Sequence, residues 1–242
     1  MFTHYRTQGF ILKKTDQGEA DRIFTVFTSD FGKLEVLAKA VRKIKSKLRS
    51  ASEIFYLSEI EFIQGKAYKT LTDAILIDNF KNLRKSLARL TVAYKISEVF
   101  DNLIKGQEPD EKIWQLLNES FKILNNSRLP HDKYRLVYYY FFWNLLSILG
   151  YKPELYRCSS CQKKIGSENI FFSFKEGGLL CGHCKDKVKS AKTIEANVIK
   201  IIRIILKRDW LTLEKLKIGD NDLKSLGMIS DYYLSEVLRQ IQ

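Results

Sequence analysis

The sequence predicts a two-domain chain, β then α. A small closed β-barrel should occupy residues 1–79, and a mainly helical domain should fill 80–242 and carry an inserted four-cysteine zinc ribbon at 155–190. Three observations predict this. The first eighty residues hold short apolar runs that alternate with period two between turn residues. From Asn79 the apolar period lengthens to that of a helix. All four cysteines stand as two Cys-x-x-Cys pairs, Cys158/Cys161 and Cys181/Cys184, with nineteen residues between them.

Strands are expected at Gln8–Lys14, Arg22–Thr28, Lys33–Ala40, Phe55–Ile63 and Tyr68–Ile77, runs rich in Ile, Phe, Val, Tyr and Thr. Asp16-Gln17-Gly18, Asp30-Phe31-Gly32 and Gln64-Gly65 supply the turns. In the fourth run, Tyr56, Ser58, Ile60 and Phe62 alternate with Leu57, Glu59 and Glu61, as a half-buried strand requires. Five short strands favour closure, because a barrel hides its strand edges. OB-type and SH3-like barrels both fit this pattern.

In the helical part, Phe80, Leu83, Leu87, Leu90 and Tyr94 fall on one helix face, with Lys81, Lys85 and Arg89 opposite. A second helix is expected after Glu108-Pro109-Asp110. A third follows Leu129-Pro130-His131-Asp132 and ends at Gly150. Its stretch from Val137 to Trp143 is apolar nearly all round, the mark of a buried central helix. Thr193 is expected to cap a helix carrying Ile194, Val198, Ile201, Ile202 and Ile205. The tail, Asp220 to Gln242, reads as two short helices.

Each Cys-x-x-Cys turn can aim two thiolates at one tetrahedral centre, with Zn–S distances of about 2.3 Å. Between the pairs, Ile170 to Phe174 reads as a strand and Glu176-Gly177-Gly178 as a turn. Two disulfides are the competing reading, but a cytosolic chain stays reduced. One structural Zn2+ held by Cys158, Cys161, Cys181 and Cys184 is therefore expected. Four thiolates leave no position for a catalytic water. His183, inside the second knuckle, should face solvent.

The chain's 242 residues carry 41 Lys+Arg against 28 Asp+Glu, a formal net charge of +13, which suggests an anionic partner and nucleic acid first. A 45% hydrophobic composition with three Pro excludes a disordered or low-complexity chain. The longest apolar run, Leu136 to Leu149, is too short to span a bilayer and contains Asn144 and Ser147. Met1 to Arg6 lacks the pattern of a signal peptide, so a cytosolic protein with no membrane partner is expected. The charge is spread thinly except between Lys39 and Arg49. There Lys39, Arg42, Lys43, Lys45, Lys47 and Arg49 meet no acid. On a loop between the third and fourth strands, such cations can track phosphates without reading bases; a solvated loop is the plainer reading. Lys81, Lys85 and Arg89 form a second candidate, for which a solvated helix face is an equal reading. Phe24, Phe27, Tyr56 and Tyr68 could stack on bases, though strand aromatics usually fill a core.

Nothing in the sequence assembles catalysis. His4, His131 and His183 have no partner nearby in sequence, and there is no Walker loop or Gly-x-Ser-x-Gly elbow. The carboxylates are scattered, with Glu59 and Glu61 sharing a strand face, whereas a two-metal nuclease needs several that converge. The chain reads as a binding protein and not an enzyme.

These residues together resemble the RecO family of bacterial DNA-repair proteins. The resemblance rests on Thr7-Gln8-Gly9-Phe10-Ile11-Leu12, Gly18-Glu19-Ala20-Asp21-Arg22, Phe31-Gly32-Lys33-Leu34 and the basic segment Ala40 to Lys47. It also rests on the four-cysteine ribbon, which part of that family carries, and it covers nearly the whole chain. The family's basic motif tends to have a Gly near its start and paired Arg. Here Ala40 and Arg42-Lys43 keep the charge but lose one planar fork. The resemblance implies an OB barrel and a recombination mediator that binds single- and double-stranded DNA without sequence specificity and anneals complementary strands. It further implies RecR and the C-terminal tail of single-strand-binding protein as partners, help in loading RecA, and a cytoplasmic place at the nucleoid. An adaptor stands as the alternative, with the basic helical surface holding a partner's acidic tail.

Overall fold

A computed structural model of the chain describes residues 3–65, 68–166, 169–188 and 190–241. It divides into two compact units, Met1–Tyr134 and Arg135–Gln242.

In the first unit, β1 (His4–Gln17), β2 (Asp21–Thr28), β3 (Gly32–Ala38), β4 (Leu57–Gln64) and β5 (Lys69–Asp78) close a barrel in the order β1-β2-β3-β5-β4. That is the OB-type arrangement of five strands. β1 is long enough to serve two neighbours. His4–Phe10 pairs with β4 and Gly9–Gln17 with β2, across a register shift between Ile11 and Lys13 that bends the strand. A short parallel pairing, Val36 with Lys69 and Leu37 with Thr70, completes the closure. Ile11, Phe24, Val26, Leu34, Val36, Ile60, Phe62 and Leu71 fill the interior. Each such side chain contributes about 1.5–3 kcal/mol by leaving water.

Three helices pack on this barrel: α1 (Lys81–Arg84), α2 (Leu87–Leu103) and α3 (Glu111–Asn125). Phe10 meets Phe80, Trp114 and Phe121 at centroid distances of 6.1, 5.0 and 5.5 Å. Ser97 Oγ donates to Leu12 O at 2.6 Å. The change of period at 79/80 thus marks the end of the barrel, while the packed unit runs on to Tyr134. Asp110 caps α3 by accepting from Lys112 N and Ile113 N at 2.8 and 3.0 Å.

The single helix face expected over 80–94 does not exist. Phe80 sits at φ +45°, and α1 ends at Arg84. Ser86 then opens α2 by accepting from Arg89 N. A new cap resets the helical phase, so counting across it fails. Leu87 is 82% exposed and Tyr94 is exposed, whereas Arg89 is only 5% exposed.

In the second unit, α4 (Tyr134–Ile148) buries Val137, Phe141, Phe142, Trp143 and Leu146, as its apolar circumference predicts. The polar residue in that run is satisfied, for Asn144 Nδ2 donates to Tyr140 O and Ile205 O. The helix stops where expected. Gly150 takes φ +90°, Gly150 N donates to Ser147 O and Tyr151 N to Leu146 O, the paired bonds of a glycine C-cap. The ribbon follows as β6 (Ile170–Ser173), β7 (Gly178–Cys181), the single turn α5 (Gly182–Lys185) and β8 (Lys192–Thr193), in sheet order β7-β6-β8.

Two expectations about the remaining helices are corrected. Thr193 does not cap α6 (Ala196–Ile205), because it pairs with Phe171 in the ribbon sheet, and Glu195 stands at the cap. After α7 (Trp210–Lys215), the tail is one continuous helix, α8 (Asp220–Ile241). Within it, Gly227 allows a close approach to α4: a Cβ there would lie 3.0 Å from the Tyr139 hydroxyl. Among the described residues, no helix is long and apolar enough to cross a membrane.

Candidate nucleic-acid and metal sites

The acid-free run leaves β3 and crosses to β4 as a turn, residues 39–45, followed by a 3-10 helix at Lys47–Ser50. Two apolar side chains pin it. Val41 is buried in the barrel core, and Leu48 packs against the same cluster. The backbone is tied to the β1–β2 turn as well: Ala40 N donates to Asp21 Oδ1 at 2.7 Å and Arg42 N to Ala20 O at 3.0 Å. Ala40 itself adopts φ +53°, a left-handed conformation that favours glycine.

Lys39, Lys43, Lys45, Lys47 and Arg49 are all exposed, and none is paired with a carboxylate among the described residues. Arg42 differs. Its Nη1 donates to Gly18 O at 3.2 Å and lies 3.6 Å from Asp16 Oδ2, so part of its charge is spent internally. Asp16 is held below the ordinary carboxylate range chiefly by the hydrogen bond from Arg22 Nε, at 2.6 Å. A cationic loop on a fixed backbone loses less entropy when it meets a polyanion than a free one does. Sequence reasoning missed the two pins, and isolated apolar residues in the basic run do not identify them, since Ile44 has the same setting and is 90% exposed.

The second candidate does not assemble. Arg89 turns inward, where Nη1 donates to Leu124 O at 2.7 Å and its guanidinium lies 4.7 Å over the Tyr134 ring. Lys81 and Lys85 remain exposed, but without Arg89 there is no shared basic face. Of the four strand aromatics, Phe24 and Phe27 are core. Tyr56 lies under the Arg84 guanidinium at 4.8 Å, and Tyr68 is partly exposed. Glu59 and Glu61 share a face, spanned by Arg6 at 3.4 and 3.5 Å, and His4 Nδ1 reaches Glu61 Oε1 at 2.8 Å.

The four cysteines converge. All four Sγ atoms lie within 4.8 Å of one another, and no other group of three or more such ligands is found among the described residues. A tetrahedral ion with arms of about 2.3 Å requires sulfurs about 3.8 Å apart; Cys161 Sγ and Cys181 Sγ are separated by 3.8 Å. The first knuckle is closed by Gln162 N donating to Cys158 O and Cys158 N to Lys163 O, both at 2.8 Å. Burial raises the Cys158 thiol, but the backbone N–H groups of Cys161, Cys181 and Ser160 outweigh it and hold it at about 6. Cys184 goes the other way. Ser160 lowers it, yet burial and the hydrogen bonds from the other three cysteines push it up to about 11. Four sulfurs this close disfavour one another's ionisation, and a divalent cation at the centre would relieve that repulsion. The donor set fits a metal ion that prefers sulfur and tetrahedral geometry. His183 is exposed, away from a ligand role.

Comparison with known proteins adds two family models. "Recombination protein O N terminal" matches residues 1–80, and "Recombination protein O C terminal" matches residues 84–241. Among curated relatives, "DNA repair protein RecO" of Dehalococcoides mccartyi strain 195 is 34% identical over 224 residues, 93% of this chain and 87% of the relative. Proteins of the same name from Acetivibrio thermocellus and Thermoanaerobacter sp. are 30% and 31% identical. Those two alignments cover 98% and 96% of this chain, and 93% and 92% of the relatives.

Proposed function

The chain belongs to the recombination protein O (RecO) family of DNA repair proteins, and on that premise we propose that it is a DNA-binding recombination mediator. It binds single- and double-stranded DNA through phosphates, anneals complementary strands, and helps load recombinase onto strands covered by single-strand-binding protein. The observation that carries this reading is the pinned loop with five exposed cations that meet no carboxylate among the described residues. Such cations lower the mutual repulsion of two phosphate backbones brought side by side. The reading includes one structural zinc ion on Cys158, Cys161, Cys181 and Cys184, which staples the ribbon and takes no part in chemistry. RecR, RecA and single-strand-binding protein are its working partners.

A specific cavity favours a protein contact as well. About 420 Å³ opens between β8 and α8, lined by Ile194, Val198, Met228, Ile229 and Tyr232, with Lys192 and Glu195 also in its lining and Glu195 Oε1 accepting from Ser225 Oγ at 2.9 Å. An acidic tail ending in an apolar residue suits it, such as that of single-strand-binding protein.

Annealing of complementary oligonucleotides tests the main reading. The protein should accelerate it without nucleotide, and the variant Lys43→Ala, Lys45→Ala, Lys47→Ala, Arg49→Ala should lose most of that acceleration. Annealing at the wild-type rate by this variant would remove the loop from the mechanism.

A further inference from the structure

We propose that the second unit carries its own stacking site for single-stranded DNA, built on Tyr156 and backed by Arg203, so that one chain holds strands at two places. The inference deepens the proposed function and rests on it.

Tyr156 stands two residues before the first zinc-knuckle cysteine and is 56% exposed, although one face of its ring is already covered. The Arg203 guanidinium lies over that face, its Cζ 4.4 Å from the centroid. Arg203 is itself fixed, since Nε donates at 3.0 Å and Nη2 also donates to the carbonyl of buried Leu155. The backbone of Tyr156 is held on both sides. Its N–H donates to Glu154 Oε1 at 2.6 Å, and its carbonyl accepts from Ile165 N at 3.2 Å. The ring is therefore preset, one face against a cation and the other toward solvent.

The surroundings are cationic. A shallow cavity of about 80 Å³ beside the ring is lined by Lys152, Leu155, Arg203, Leu206 and Lys207. Lys152 and Lys207 are exposed, and neither is paired with a carboxylate among the described residues. Arg157 follows the ring in sequence and is exposed, and the nearby acid, Glu154, is engaged by the N–H groups of Tyr156 and Arg157. A cavity this small admits phosphate oxygens and water but not a nucleobase, so a base must lie on the ring. An open aromatic face flanked by unpaired cations is the arrangement that binds single strands with little sequence preference. Duplex bases are already stacked and offer it no free face. Because Tyr156 leads directly into Cys158, the cluster of sulfurs that orders the ribbon also orders this platform.

The test compares oligothymidylate with an abasic oligonucleotide of equal length, by fluorescence anisotropy on the full chain. Tyr156→Ala should weaken oligothymidylate binding about five- to tenfold and leave abasic binding unchanged. Tyr156→Phe should stay within about twofold of wild type on both. An oligonucleotide carrying 5-iododeoxyuridine should photocrosslink to Tyr156, as mapped by mass spectrometry. Equal losses on both oligonucleotides, no loss on either, or crosslinking without Tyr156 would overturn the proposal. An acidic peptide that competes at Tyr156 where DNA does not would reassign the site to a protein. The four-alanine loop variant, measured in parallel, separates the two readings. If it alone loses binding, this site fails and the barrel reading stands; if Tyr156→Ala alone does, the reverse holds.

Discussion

The basic loop and the cysteine ribbon both present cations on short backbone segments, yet different forces hold them. Around the loop, a closed ladder of five strands and a cluster of ten fully buried side chains fix Val41 and, through it, the cations on either side. Around the cysteine knuckles, the buried cluster amounts to Cys158, Leu180 and Cys184 with a few half-covered neighbours, while the sheet beside them buries Ile170, Phe172, Phe174 and Leu179, with Phe172 and Phe174 against Tyr233. A cluster that small cannot offset the conformational entropy of the two knuckles, so their order must come from the sulfurs, while the sheet has apolar packing of its own. The barrel should keep its shape without metal; the cysteine knuckles should not.

The largest break in this comparison is Cys184→Ser. Apparent metal-binding energies of structural zinc sites are about 10–16 kcal/mol, and in small modules that energy is folding energy. The variant should lose its zinc, and amide exchange should rise sharply over the knuckles, residues 158–163 and 181–187, while β1–β4 stay protected. Full zinc content after the substitution would contradict the assignment. A smaller effect separates inward from outward cations. Arg89→Ala leaves the buried Leu124 carbonyl without its donor and should cost about 2–3 kcal/mol in urea unfolding. Lys81→Ala and Lys85→Ala should stay within about 0.5 kcal/mol, as ordinary surface changes do. The smallest change is a gain. Ala40 occupies a left-handed conformation that costs a side-chain-bearing residue, so Ala40→Gly should raise barrel stability by about 1 kcal/mol without altering the ribbon.

What was legible in the sequence follows the range of the forces involved. Strand alternation and the spacing of two Cys-x-x-Cys turns are local, and the barrel and the sulfur cluster were read from them. The Gly150 cap was legible for the same reason. Helix phase across Ser86 was not, because a cap three residues from Arg89 decided which side faced the core. Thr193 has the chemistry of a cap, but its strand partner, Phe171, lies twenty-two residues away. The tail reads as two helices, yet α8 runs unbroken through Gly227, where it comes close to Tyr139 on another helix. Likewise, Tyr156 and Arg203 are forty-seven residues apart, and no spacing rule joins them.

On this reading the barrel presents the phosphate-binding cations, and it does so without a metal. The salt dependence of oligothymidylate affinity tests it most directly, measured for wild type and for the variant with Lys43, Lys45, Lys47 and Arg49 changed to Ala. Each phosphate neutralised on a single strand adds about 0.7 to the slope of log affinity against log salt. The variant's slope should therefore be shallower by up to about 3, with or without zinc in the ribbon. A slope that four lost cations leave unchanged would contradict the claim.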